Sequence, residues 1–165
     1  MDDLSNRAAA SPQDIAAHDA QSGQCITYLH LHERSARLGA ALVKDGLRPG
    51  DSVALLIDHS LLDHEIRWAA RRVGLACVTV SAAETSRMQE LLEHCEAKVL
   101  FAASKYRRQI EALPDGLTRE IDVIYVDGTA AREIVDGYEW TVSYGEMDEC
   151  FAVIAKAGRT SSEAA

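Results

Sequence analysis

The sequence predicts an α/β domain with a mainly parallel sheet flanked by helices. Three observations predict it. Between Val53 and Val126, apolar runs of strand length alternate with segments whose apolar residues recur at helical spacing. The first run, Val53-Ala54-Leu55-Leu56-Ile57, has no polar interruption, which is the pattern of a strand covered on both faces. Gly or Pro stands at the joints, at Gly46, Pro49, Gly50, Gly74, Pro114 and Gly116.

Residues 1–12 are rich in Ala, Ser, Asn and Asp and read as a flexible N-terminus. The domain is expected over 13–155, and a polar tail over 156–165. Asp14 to Ala17 and Cys25 to Tyr28, separated by a stretch of turn composition ending at Gly23, suggest a small hairpin. Thr27 is placed to cap a helix over 28–45, whose apolar stripe is Leu31, Leu38, Ala41 and Leu42. Gly46 stops that helix and Pro49 prevents its continuation.

After the strand at 53–57, Ser60 can cap a helix over 61–73 with the stripe Leu62, Ile66, Ala69, Ala70 and Val73. Gly74 ends it, and 75–80 reads as a second strand. A strand, a helix and another buried strand form a βαβ unit with parallel strands. The alternation continues with a helix over 85–95, a strand over 98–102, a helix over 104–113 and a strand over 121–126. Beyond Val126 the period weakens. Ala130 to Val135 can form a turn or two of helix and Phe151 to Ile154 a strand.

Apolar residues make up 47% and charged residues 26% of the 165, ordinary for a globular protein. The net charge of −9 gives no general attraction for nucleic acid or anionic membrane. No apolar run approaches the roughly 20 residues that span a bilayer. The start, polar and acidic, lacks the pattern of a signal peptide. The expectation is a cytoplasmic protein. Cys25, Cys77, Cys95 and Cys150 form no CxxC pair and read as buried, reduced thiols.

Asp58-His59 falls at the C-terminal end of a buried strand, where open α/β sheets bind ligands. The residue types there can serve a metal or a phosphoryl group, but loops also carry polar residues for solubility alone, and no companion acidic pair or Thr/Lys set is evident. His30 and His32 lie two apart on a helix, on nearly opposite sides, so they do not share an ion. His59 and His64 have no third ligand at metal spacing. Asp148-Glu149 reads as a solvated pair. Ser104, Ser143 and Ser161-Ser162 have no GxSxG context, and neither GxGxxG nor GxxxxGK[ST] is present.

One stretch is more specific. Thr27-Tyr28, Leu31, Glu33-Arg34-Ser35, Leu38, Ala41-Leu42, Gly46-Leu47-Arg48-Pro49-Gly50-Asp51 and Val53-Ala54-Leu55-Leu56 resemble the N-terminal region of the adenylate-forming (AMP-binding) enzyme superfamily. Trp68-Ala69-Ala70, Gly74-Leu75 and Cys95-Glu96-Ala97-Lys98-Val99-Leu100 continue the resemblance, most like fatty-acyl-CoA synthetases, over about 15–126. It implies ATP-dependent activation of a carboxylic acid through an acyl-adenylate, with Mg²⁺ assisting and coenzyme A taking the acyl group.

The resemblance also implies a Ser/Thr/Gly-rich phosphate loop with a Lys, expected where this sequence ends. Gly158 and Thr160 match that loop as nucleotide-binding positions, while its Pro and Lys positions fall on Glu163 and Ala164. Glu163 would set negative charge beside phosphate, against the electrostatic need. Thr79 and Ser81 replace the family's usual Pro and Asn, and His30 replaces the Glu of a cap box.

The expected function is therefore a truncated or degenerate part of an AMP-forming fatty-acyl-CoA synthetase, inactive alone and holding no cofactor by itself. The alternatives are an interaction module and a small α/β ligand binder using the strand ends near Asp58 and Ser81. A module would self-associate or dock on a synthetase through exposed apolar surface.

Overall fold

The computed structural model describes residues 3–20, 23–58, 61–83, 85–127, 142–144 and 150–156. The chain begins with helix α1 (Asp3–Ala10), where the sequence suggested a flexible segment. Leu4 is 1% exposed and packs with Ile26, Leu31 and Leu61. With one large apolar residue the segment shows little period of its own, and tertiary packing makes the helix. The expected hairpin forms from β1 (Ile15–His18) and β2 (Cys25–Thr27), paired antiparallel.

Helix α2 (Tyr28–Lys44) starts as expected, with the Thr27 hydroxyl accepting the His30 amide at 3.3 Å. It ends in a Schellman motif. The amide of Gly46 (φ 95°) bonds Val43 O at 3.0 Å and the amide of Leu47 bonds Leu42 O at 3.1 Å. Strand β3 (Ser52–Leu56) and helix α3 (Leu61–Arg72) follow, and α3 repeats the same ending. Gly74 bonds Arg71 O at 3.3 Å and Leu75 bonds Ala70 O at 2.9 Å.

Then come β4 (Ala76–Thr79), α4 (Thr85–His94) and β5 (Ala97–Ala103). The segment expected as one helix over 104–113 divides into a 3₁₀ turn, Ser104–Tyr106, and α5 (Arg107–Glu111). An additional short helix, α6 (Asp115–Glu120), follows Pro114 and precedes β6 (Asp122–Asp127). Two further strands are β7 (Val142–Tyr144) and β8 (Cys150–Lys156); the latter includes the run expected at 151–154. The segment 130–135 lies outside the described residues.

The sheet order is β4-β3-β5-β6-β8-β7. The first four strands in that order pair parallel, and β8 is antiparallel to β6 and to β7. The strand alternation builds two cores. Val53, Leu55, Val99, Phe101, Ile124 and Val126 face α2 and α3, while Ala54, Leu56, Leu100, Ala102, Val123 and Tyr125 face α4 and α5. The central strands are therefore covered on both sides, as their uninterrupted apolar runs required.

Helices α2 and α3 approach closely at Gly39, where an added Cβ would lie 3.3 Å from the carbonyl oxygen of Ala69 and 3.2 Å from Val73 Cγ1. Between them Arg34 and Glu65 form an ion pair of 2.7 Å. Beside it Arg72 donates to Ser35 Oγ at 3.1 Å and to His32 Nδ1 at 2.7 Å. A guanidinium only donates, so His32 Nδ1 accepts and the ring proton sits on Nε2.

Candidate functional site

The strand order makes one place special. From β3 the chain crosses to β4 at the sheet edge, then returns past β3 to β5. The segment leaving β3 leads to α3 on one face, and the segment leaving β5 leads to α5 on the other. The C-terminal ends of β3 and β5 thus flank a topological switch point, where open α/β sheets hold ligands.

Asp58 stands on the β3 side, and Lys105 and Tyr106 stand on the β5 side. Lys105 Nζ forms an ion pair with Asp58 Oδ2, and the Tyr106 hydroxyl donates to Asp58 Oδ1 at 2.9 Å. The ammonium also lies 4.9 Å from the centre of the Tyr106 ring. The hydrogen bond with Asp58 raises the Lys105 pKa above its ordinary value, partial desolvation opposes this, and Tyr106 adds to the rise. Lys105 therefore stays cationic at neutral pH. It can hold or orient an anion, but it is not a neutral amine available as a base or nucleophile.

Nearby on the β6 side, the Arg107 guanidinium carbon lies 4.1 Å from the Tyr125 ring centre. Burial raises the Tyr125 phenol pKa, with Arg107 opposing.

Asp58 is thus where the sequence placed it, but the absence of a companion is corrected: Lys105 and Tyr106 are 47 and 48 residues downstream. They follow a strand directly, as Asp58 does, so the same strand-end rule applies to them. What the sequence lacked was the strand order that makes β5 the neighbour of β3.

Ser81 is exposed just past β4, its Oγ accepting the Ala83 amide at 3.3 Å. His30 and His64 are exposed on separate helices, and His32 is committed to Arg72. Among the described residues no group of three or more His, Cys, Asp or Glu can hold a metal ion. Cys25 is exposed, correcting the expectation of a buried thiol, because it alternates with the buried Ile26 on the short strand β2. Cys77 and Cys95 are partly buried. His59, Ser60, Asp148-Glu149, Gly158, Thr160 and Ser161-Ser162 lie outside the described residues, and of Ser143 only the backbone is described.

A triphosphate needs a cradle of backbone amides or a free cation at the ligand edge. The described glycines with positive φ are Gly23 in the hairpin loop and Gly46, Gly50 and Gly74. The last three precede β3 and β4, at the opposite edge of the sheet, and Lys105 is engaged by Asp58.

The architecture is an α/β domain whose parallel sheet opens its ligand edge at the β3/β5 switch. The AMP-binding enzyme family model matches residues 4–156, and the chain belongs to that family. It resembles a solved fatty acyl CoA synthetase of Mycobacterium tuberculosis with a TM-score of 0.66 at 23% identity, covering 74% of this chain and 25% of that one. It resembles the luciferase-like enzyme of the mealworm Zophobas morio with a TM-score of 0.66 at 21% identity, covering 74% and 28% respectively.

Likeness at those identities speaks to the fold. In sequence, the chain is 31% identical over 93 residues to a fatty acid–[acyl-carrier-protein] ligase of Streptomyces coeruleorubidus, over 56% of this chain and 18% of the relative. The chain thus spans roughly a quarter or less of these proteins. No helix among the described residues is long and apolar enough to cross a membrane.

Proposed function

We propose that this chain is the N-terminal sheet portion of an ATP-dependent, AMP-forming fatty-acyl-CoA synthetase, and that these 165 residues alone do not form an acyl-adenylate. The observation that carries the reading is the family match over residues 4–156 in a chain spanning 25% of a fatty acyl CoA synthetase. ATP, Mg²⁺ and coenzyme A are reactants of the intact enzyme, and Gly158 and Thr160 are proposed as remnants of its phosphate loop. Asp58, Lys105 and Tyr106 would then form a charged wall of the site at the switch point. A cytoplasmic location belongs to the same reading. The experiment is to incubate the purified chain with ATP, Mg²⁺, coenzyme A and a fatty acid and to measure pyrophosphate release. No release above background is expected, and turnover above it would overturn the claim of inactivity.

A second reading is favoured by one surface. Val43 is 50% exposed and borders an open groove with Leu47, Pro49 and Val73 at the N-terminal edge of the sheet. Such a surface suits an interaction module that pairs with itself or docks on a synthetase. Light scattering on the eluting chain would show a dimer or a complex with added synthetase, and a monomer that ignores the enzyme would rule the module out.

A further inference from the structure

At the free edge of the sheet, the C-terminal end of β4 and the start of α4 enclose a cleft of about 400 Å³. This lies within the range of roughly 300–1,000 Å³ usual for small-molecule sites. Its floor is apolar: Val80 and Met88 are buried, and Leu91 packs partly against them. Its rim carries Thr79, Ser81 and Arg87.

Each of the polar rim groups can donate a proton to a ligand. Thr79 Oγ1 already accepts from Arg67 Nη2 at 2.7 Å, and Ser81 Oγ already accepts the Ala83 amide at 3.3 Å, so both hydroxyl protons remain free to donate. Arg67 is itself balanced by Asp63 at 2.9 Å. Arg87 is exposed and pairs with no acid among the described residues. A guanidinium accepts nothing and prefers planar oxyanions.

We propose that this cleft binds a ligand with an oxyanion head and a short apolar tail. The head would take the Arg87 guanidinium and the two hydroxyl protons, and the tail would lie on Val80, Met88 and Leu91. Among the described rim residues there is no carboxylate, so an ammonium head would find no counter-ion there and would face the Arg87 charge, and an uncharged alcohol would forgo the charge-assisted bonds. The site is separate from the Asp58–Lys105–Tyr106 cluster and does not rest on the ligase reading.

The test is a titration of the ¹⁵N-labelled 165-residue chain, followed by amide shifts, with octanoate, octyl phosphate and octanol. Saturable shifts at Val80, Ser81 and Leu91 are expected with at least one anion, and at least tenfold weaker binding with octanol. Octanoate alone would assign a carboxylate head, and octyl phosphate alone a phosphate head. Arg87→Gln, an exposed and fold-neutral change, should weaken the anion at least tenfold, while Arg37→Gln on α2 should not. Absent shifts at those amides, octanol binding as tightly as the anions, or an unaffected Arg87→Gln would each overturn the site. Pyrophosphate release is measured separately, so the two proposals can fail independently.

Discussion

Gly74 lies so closely against Pro49 that a side chain would push the two apart: a Cβ at position 74 would sit 3.1 Å from the Cβ of Pro49. The contact joins the two helix endings that flank β3, and the Gly50 amide seals it by bonding the Gly74 carbonyl at 2.8 Å. Gly74 also has φ 74°, which an L side chain rarely adopts. Gly74→Ala is therefore expected to cost about 2–4 kcal/mol, from left-handed strain plus the close approach. Gly46→Ala shares the positive φ but meets open space, and should cost only the left-handed strain of about 1–2 kcal/mol. Urea unfolding of both variants checks this, and equal losses would show that the Pro49 contact is not felt.

Helix α4 ends without a glycine. Glu96 occupies the left-handed position with φ 48°, its amide bonding Glu93 O at 3.1 Å. Two other helices place Gly46 and Gly74 at the matching position. Glu96→Gly should stabilise the chain by about 1 kcal/mol, as relief of left-handed strain exceeds the added unfolded-state entropy. A lower urea midpoint for the variant would refute it.

Those endings also show what was legible in the sequence. Gly46-Leu47 and Gly74-Leu75 announce a left-handed residue followed by an apolar anchor, so the stops of α2 and α3 could be read directly. The uninterrupted runs at β3, β5 and β6 gave the two-sided sheet. Helix α1 was hidden because Leu4 finds its partners, Ile26, Leu31 and Leu61, far along the chain. Lys105 was hidden for a related reason. Its meaning depends on β5 lying beside β3, and strand order is a property of crossovers that no local pattern encodes.

The thiols should separate by burial. Cys25 is exposed, whereas burial is the largest influence raising the Cys77 and Cys95 pKa values. Near-neutral alkylation followed by peptide mass spectrometry should therefore label Cys25 well before Cys77 or Cys95. The pH dependence follows in sign. A raised thiol pKa means the folded state keeps a proton that the unfolded chain releases, so the stabilisation is complete below the ordinary thiol range and is lost as pH rises through the raised value. Cys77→Ala should flatten that alkaline loss in urea melts, and an unchanged slope would exclude Cys77 as its source.

The ion pair between Arg34 and Glu65 joins α2 to α3 in a buried position. Arg34 Nη2 and Glu65 Oε1 are 2.7 Å apart, with side-chain exposures of 11% and 0%. Desolvation of both ions offsets much of their attraction, so the pair adds little over a packed apolar equivalent, yet removing one member takes this counter-ion from the other's buried charge. Glu65→Leu alone, or Arg34→Met alone, should cost about 3–5 kcal/mol, whereas the double variant should lose less than either single change. Urea melts of the four proteins in the cycle measure the coupling directly. Single losses that simply add in the double variant would mean that the two charges do not depend on each other, and that close helix packing at Gly39 fixes α2 against α3 without them.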